Sequence, residues 1–384
     1  MLVDGAGKFL IPGLWDMHTH PVGYGDIKDQ LTLKLSLANG VTGVRDMGSH
    51  PYALAKQWRD SIAAGTMIGP RMRVAGPIVE NPRWLANVRR WEEEAGKSTE
   101  WMQGRFGPST VEAARSFVDS VVALGADHIK VRNWPAAEVS EALVARARER
   151  GIPVVAHGSR PFPATGISSL EHMIFPPLQL PESGRDSLFR RWGAEGVAFV
   201  PTLVASFSRL HPIDSVLRWI DPARTPKLRY APRSVREGWR QELEIGAKNE
   251  RPFDWKGDYQ VRLRDLREMR RAGVRILAGS DFGGPLTVPG FDLHEELAKL
   301  VDEVGMTPIE ALRAATLAPA QFLGIDSLGT VASGKLADLV LLDADPRIDI
   351  RHTRRIHAVV ANGRLFNRAA LDGLIEEARR AAAR

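Results

Sequence analysis

The chain has 384 residues, 44% of them hydrophobic and 26% charged, and a net charge of +6. This composition suits a globular protein with a large core, and the lack of cysteine excludes disulfides, thiolate metal sites and cysteine nucleophiles. Basic residues are interspersed with acidic ones, and no apolar run reaches the ~18 residues of a membrane helix, so neither nucleic acid nor a membrane is an expected partner.

The first apolar run, Phe9-Leu-Ile-Pro-Gly-Leu-Trp-Asp-Met-His-Thr-His20, reads as a strand ending in two histidines. Residues i and i+2 of a strand share a face, so His18 and His20 project together while Thr19 faces away. A helix over 29–38 leads to a second strand at 40–46, a helix at 51–64 and a third strand at 71–75. Residues 77–108, with Trp84, Trp91 and Trp101, read as an excursion that is either a lid over a site or simply packed on the body. A helix at 109–124 precedes a fourth strand at 126–131, and a helix at 136–150 precedes a fifth at 151–157. The sixth strand falls at 167–172, a helix at 188–195 and the seventh strand at 197–203. A long Arg- and Trp-bearing stretch over 205–257 and a helix at 259–272 lead to the eighth strand at 274–281. Helices at 291–304 and 308–322 follow. Eight strand–helix alternations give an α/β fold, a (β/α)8 TIM barrel with insertions. Beyond it, 334–343 and 356–364 read as antiparallel strands with an Asn-Gly turn, and the tail from 371 as a helix.

Barrel enzymes place their catalytic groups at the C-terminal ends of the strands. Those ends carry His18 and His20 on strand one, Lys130 on strand four, His157 on strand five, His172 on strand six and Asp281 on strand eight. With ten histidines in the chain, one His-x-His pair means little alone. Ligand-type residues at one end of five strands point to a metal site. Less specific candidates are Arg45 at the end of strand two, His128 two residues before Lys130, Arg132 and Trp134 after strand four, and Tyr230 and His211 in the long insertion. Arg45, Arg132 and Trp134 suit either a substrate carboxylate or ring, or structural contacts; His128 suits a packed histidine better than a ligand.

The pieces Ile11-Pro-Gly-Leu-Trp-Asp-Met-His-Thr-His20, Lys130, Val155-Ala-His157, Glu171-His172, Gly279-Ser-Asp281, Gly334-Lys-Leu-Ala-Asp-Leu-Val and Ala358-Val-Val-Ala-Asn-Gly-Arg364 together resemble the amidohydrolase superfamily. The nearest resemblance is to its imidazolonepropionase-like group, which includes metal-dependent dipeptidases, prolidases and ochratoxinase-like amidases. The resemblance implies a binuclear centre of two divalent ions, expected as Zn2+. His18, His20 and Asp281 would hold one, His157 and His172 the other, and Lys130, carboxylated by CO2, would bridge them. An unmodified Lys130 and a single metal is the alternative. The implied activity is hydrolysis of amide or peptide C–N bonds by a metal-bridging hydroxide, with Asp281 as proton shuttle. Two other functions stay open: a mononuclear deaminase or cyclic-amide hydrolase, and a non-catalytic ligand-binding barrel.

Expected domains are a remnant of a small β domain at 1–8, the barrel at 9–325, the small domain's C-terminal strands at 326–368 and a helix at 369–384. The resemblance implies several strands before the Ile-Pro-Gly-Leu piece, where only eight residues and Phe9-Leu10 stand, so the small domain reads as reduced or the start as truncated, an export signal included. The partner is expected to be a small amide or peptide, the location cytoplasmic and the assembly a homo-oligomer.

Overall fold

A computed structural model describes residues 3–158, 165–172, 180–249 and 254–384. Its strands, in chain order, are β1 (Phe9–Pro12), β2 (Leu14–Thr19), β3 (Val41–Asp46), β4 (Arg71–Val74), β5 (Ile78–Val79), β6 (Arg105–Phe106), β7 (Ile129–Val131), β8 (Val154–His157), β9 (Ser169–Glu171), β10 (Ala198–Val200), β11 (Arg275–Ile276), β12 (Leu339–Leu342), β13 (Ile356–Ala361) and β14 (Arg364–Phe366).

β2, β3 and β4 form one parallel group, and β7 to β11 another, with β5 beside β7. Two seams join the groups into a ring of eight. On one side Ala75 bridges His128 in parallel and Val79 pairs with Val131, so β4 and β5 in succession make the third staves of the barrel. On the other side the Met17 N–H donates to the Ala278 carbonyl at 2.9 Å and the Asp281 N–H to the His18 carbonyl at 2.8 Å. One step lower, the carbonyls of Ala314 and Ala315 accept from Ala278 and Trp15. A helix end therefore wedges the first and eighth strands apart at the bottom, and they meet only at the mouth. Helices such as Leu31–Ala38, Val111–Ala123, Ala137–Glu149 and Phe291–Asp302 cover the outside, burying their leucine and valine faces. This continuous apolar layer is what fixes the strand ends in space.

The N-terminal apolar run is two strands where the sequence suggests one. β1 leaves the barrel and pairs antiparallel with β12, which pairs with β13, and β13 with β14. The break falls at Gly13, whose N–H donates to the Asp338 carbonyl at 2.7 Å. A Cβ there would sit 2.0 Å from Thr42 Oγ1, so only glycine lets the chain pass this close to β3. Residues 9–12 thus belong to the small sheet. Its Asn362-Gly363 turn has φ of 47° and 76°, the two-residue hairpin that this dipeptide favours.

Other differences are local. The 205–257 stretch holds the helices Ile213–Trp219 and Arg233–Asn249 with short 3-10 turns between. The expected helix at 308–322 is two, Pro308–Ala314 and Leu317–Phe322, broken where Thr316 leaves helical backbone. Residues 82–94 of the excursion are helical, capped by the Asn81 side chain. No helix among the described residues is long and apolar enough to cross a membrane.

Candidate metal centre

The pleat of β2 turns Asp16, His18 and His20 to one side. The Glu171 carboxylate, 2.8 Å from His18 Nδ1, holds the proton on that nitrogen, so Nε2 presents its lone pair. His18 Nε2 is buried, has no hydrogen-bond partner among the described residues, and lies 3.5 Å from Asp281 Oδ1. His20 Nε2 is 3.4 Å from the same oxygen. One ligand atom from each of His18, His20 and Asp281 falls within 4.8 Å of the others, the spacing that lone pairs aimed at one cation require.

His172 and Asp281 reach this point by a backbone device. Neighbouring strand residues face opposite ways, and the inward places at the ends of strands six and eight are taken by Glu171 and Ser280. Ser280 Oγ donates to Asp16 at 2.5 Å. His172 and Asp281, next in the chain, adopt left-handed backbone with φ of 67° and 48°, which swings their side chains back over the mouth. His172 Nδ1 is then 3.5 Å from Asp281 Oδ2 and 2.9 Å from Thr202 Oγ1. Its ring lies 4.3 Å from that of His18 and 4.7 Å from that of His157.

Lys130 is 2% exposed and its Nζ has no hydrogen-bond partner among the described residues. Burial pushes its amine down to about 8. Burial also pushes His18, His157 and His172 well below the usual imidazole range, helped by the charge of Lys130 at the first two and of His18 at the third. A lowered value favours the neutral imidazole, the form that ligates metal. Burial pushes the Asp281 carboxyl up, but His172 and His20 outweigh it and leave it below the usual carboxylate range. A cavity of about 790 Å³ opens from His157, His172 and Asp281 past Thr202 and Arg209 to Tyr259, and His211 lies on its wall.

The remaining candidates fall elsewhere. Arg45 is buried in the barrel wall, where it donates to Glu171 Oε1 at 2.7 Å, Ser169 Oγ at 3.1 Å and the Met17 carbonyl at 2.7 Å. Its donors are spent on positioning Glu171, which corrects the reading of Arg45 as a substrate contact. His128 precedes β7 and lines a separate cavity of about 240 Å³ at the N-terminal end of the strands, with Arg45, Phe322 and Leu323. It shares the lysine's face but sits one step too deep to meet a substrate. Tyr230 stacks on Phe291 at 5.1 Å, away from the wall of the metal-centre cavity. Trp134 is buried, its indole N–H donating to the His157 carbonyl at 3.2 Å, and so supports a ligand. Arg132 is one-third exposed, 3.0 Å from Glu80 Oε1 and 4.5 Å above the Trp84 ring. Sequence reasoning assigns no role to Glu171, Asp16, Thr202 or Glu80. The signal for Glu171 was parity: in strand six it, and not His172, occupies the inward place.

The comparisons with known proteins agree with this architecture. A model of the Amidohydrolase family matches residues 257–366. Ochratoxinase of Aspergillus niger is 24% identical over 423 residues, covering 96% of this chain and 78% of that protein. Imidazolonepropionase of Pyrobaculum arsenaticum is 41% identical over 76 residues, 20% of this chain and 19% of that one. The structure of bottromycin amidohydrolase superposes with a TM-score of 0.73 at 26% identity, covering 98% of this chain and 81% of that one. From strand order to matched sequence, these findings make the chain similar to members of the amidohydrolase superfamily and consistent with that group.

Proposed function

We propose that this chain hydrolyses C–N bonds of a small amide or peptide and holds two divalent metal ions, expected as Zn2+, to do so. The observation that carries this reading is a pair of buried polar atoms without hydrogen-bond partners among the described residues, His18 Nε2 and Lys130 Nζ, together with the convergence of ligand atoms of His18, His20 and Asp281 within 4.8 Å. Buried polar atoms are rarely left unpaired, and an oriented imidazole with a free lone pair fits a cation better than it fits a vacant interior. His18, His20 and Asp281 would hold one ion and His157 and His172 the other. Lys130 has no lone pair while it is an ammonium. Its neutral amine can attack CO2, forming an N–C bond and losing a proton, and the carbamate oxygens would then bridge the two sites. A divalent pair, when bound, supplies a hydroxide nucleophile near neutral pH and polarises the scissile carbonyl.

The protein's own groups do the rest. Asp281, held ionised, accepts the proton of the attacking water and passes it to the leaving nitrogen. Glu171, fixed by Arg45, and Thr202 hold the imidazoles in orientation. Arg132 and Arg105 share one buried carboxylate, Glu80, so this cluster beside strand four keeps a net positive charge and would anchor a substrate carboxylate. A one-metal hydrolase of a cyclic amide is the second reading. It is favoured by the three-residue cluster standing complete without Lys130 and by the local likeness to imidazolonepropionase.

The deciding experiment is metal analysis together with turnover of an N-acyl amino acid and dipeptide library by the zinc-loaded protein. Two ions per chain, with activity that depends on bicarbonate, are expected. One ion per chain and turnover of cyclic amides alone would move the assignment to the second reading, and no turnover of any amide would leave a binding barrel.

A further inference from the structure

Outside the metal centre lies a second cavity, of about 580 Å³, within the range of small-molecule sites. It lies back to back with the metal-centre cavity. The 3-10 segment Leu203–Leu210 is the partition: Val204 and Phe207 face this side, Ala205 and Ser206 the other, and among the described lining residues only Pro285 belongs to both. The floor is apolar, built from Val204, Phe207, Trp219, Leu286 and Phe291.

Its charge is unbalanced. Three cations line it, Arg224, Lys227 and Arg354, against one carboxylate, Glu295. Lys227 is satisfied by Glu295 at 3.0 Å and by Asp292, which lies just behind the wall. The Arg224 and Arg354 guanidiniums have no hydrogen-bond or carboxylate partner among the described residues, and both side chains are exposed. His294, the other titratable lining group, is spent on Thr353 Oγ1 at 2.8 Å and the Asn39 carbonyl at 3.0 Å. Counting Asp292, the cavity keeps one net positive charge over an aromatic floor.

We propose that this cavity is a second ligand site, separate from the metal centre, for a small amphipathic carboxylate. The aromatic or alkyl body rests on Phe207, Trp219 and Phe291, and the carboxylate meets Arg224 and Arg354. Planar guanidiniums suit a carboxylate better than a neutral head group, and an apolar floor selects against small hydrophilic anions.

The test is calorimetric titration of the metal-loaded protein with 4-phenylbutyrate, with 4-phenylbutanol as the uncharged control. The acid binds the parent. The Arg224→Gln/Arg354→Gln variant weakens it about tenfold, the scale of one charge-assisted contact, and leaves the alcohol unchanged. Thr225→Trp, which fills the cavity from its rim, removes both ligands. Asp281→Asn leaves acid binding as it is. The proposal is overturned by equal acid affinity in the double arginine variant, by binding that survives Thr225→Trp, by loss in Asp281→Asn, which would put the acid on the metal centre, or by no binding to the parent up to about 5 mM.

Discussion

Lys130 and Lys227 both carry their amines into the protein, one buried close to the metal-centre imidazoles, the floor site, and the other in the wall of the second cavity, the wall site. Lys227 meets two carboxylates of its own chain, Asp292 and Glu295. Lys130 meets none within hydrogen-bond reach among the described residues; Glu171 and Asp281 act on it through space, and each is committed to imidazoles. An interior cation without an anion is costly, so the two positions ask for different completions. The wall site is complete as folded. On the function proposed above, the floor site takes its anion from CO2 and its counter-charge from metal.

The sharpest break between the two regions is chemical. Asp281→Asn keeps the shape of the mouth but removes the base, and kcat is expected to fall by ~10²–10⁴, the usual contribution of a positioned acid–base group. Steady-state kinetics, with circular dichroism to show an intact fold, check this; a variant within threefold of the parent would show that Asp281 acts as a ligand alone. Next in size is the lysine pair itself. Lys227→Met leaves Asp292 buried without its partner and is expected to cost about 3–5 kcal/mol in urea unfolding. In metal-stripped protein Lys130→Met removes an unpaired interior charge and is expected to be neutral or to gain about 1–3 kcal/mol, while turnover of the reloaded variant is lost. Equal destabilisation by the two changes would erase the contrast.

Much of this was legible in the sequence for definable reasons. The barrel showed because eight strand–helix alternations leave few topologies, and the histidines showed because they stand at strand ends. Three things stayed hidden. Gly13 looks like any glycine in an apolar run, and its role as a crossing point follows from Thr42 on another strand. The left-handed backbone at His172 and Asp281 cannot be read from alternation, which would send both outward, and it let Glu171 and Ser280 go unassigned. Arg45 and Arg132 are both arginines at strand ends, and only their partners separate them: one is enclosed by Glu171, Ser169 and Met17, the other lies over Trp84 within reach of solvent.

Two smaller effects sharpen the comparison from the side of the supporting groups. The Thr202 hydroxyl is 2.9 Å from Nδ1 of His172, so Thr202→Val should lower metal affinity about 10–100-fold, with Thr202→Ser close to the parent, as read by zinc titration against a chelating dye. Glu296 tests whether an unpartnered buried atom always signals a ligand. Its Oε2 accepts from the Val204 N–H at 2.9 Å and its Oε1 has no partner among the described residues. Burial pushes this carboxyl up to about 8, so it completes itself with a proton instead of a metal. The folded-state value exceeds that of a free glutamate, so the stabilisation is full below about pH 4.5 and is lost as pH rises towards 8, on the order of 1 kcal/mol per pH unit. Glu296→Gln keeps an acceptor for Val204 without the titration, and its unfolding midpoint should lose that part of the parent's slope between about pH 5 and 8. If parent and variant fall in parallel, Glu296 is charged in the folded state, and its free oxygen has to be counted, like Lys130, as a site awaiting a partner.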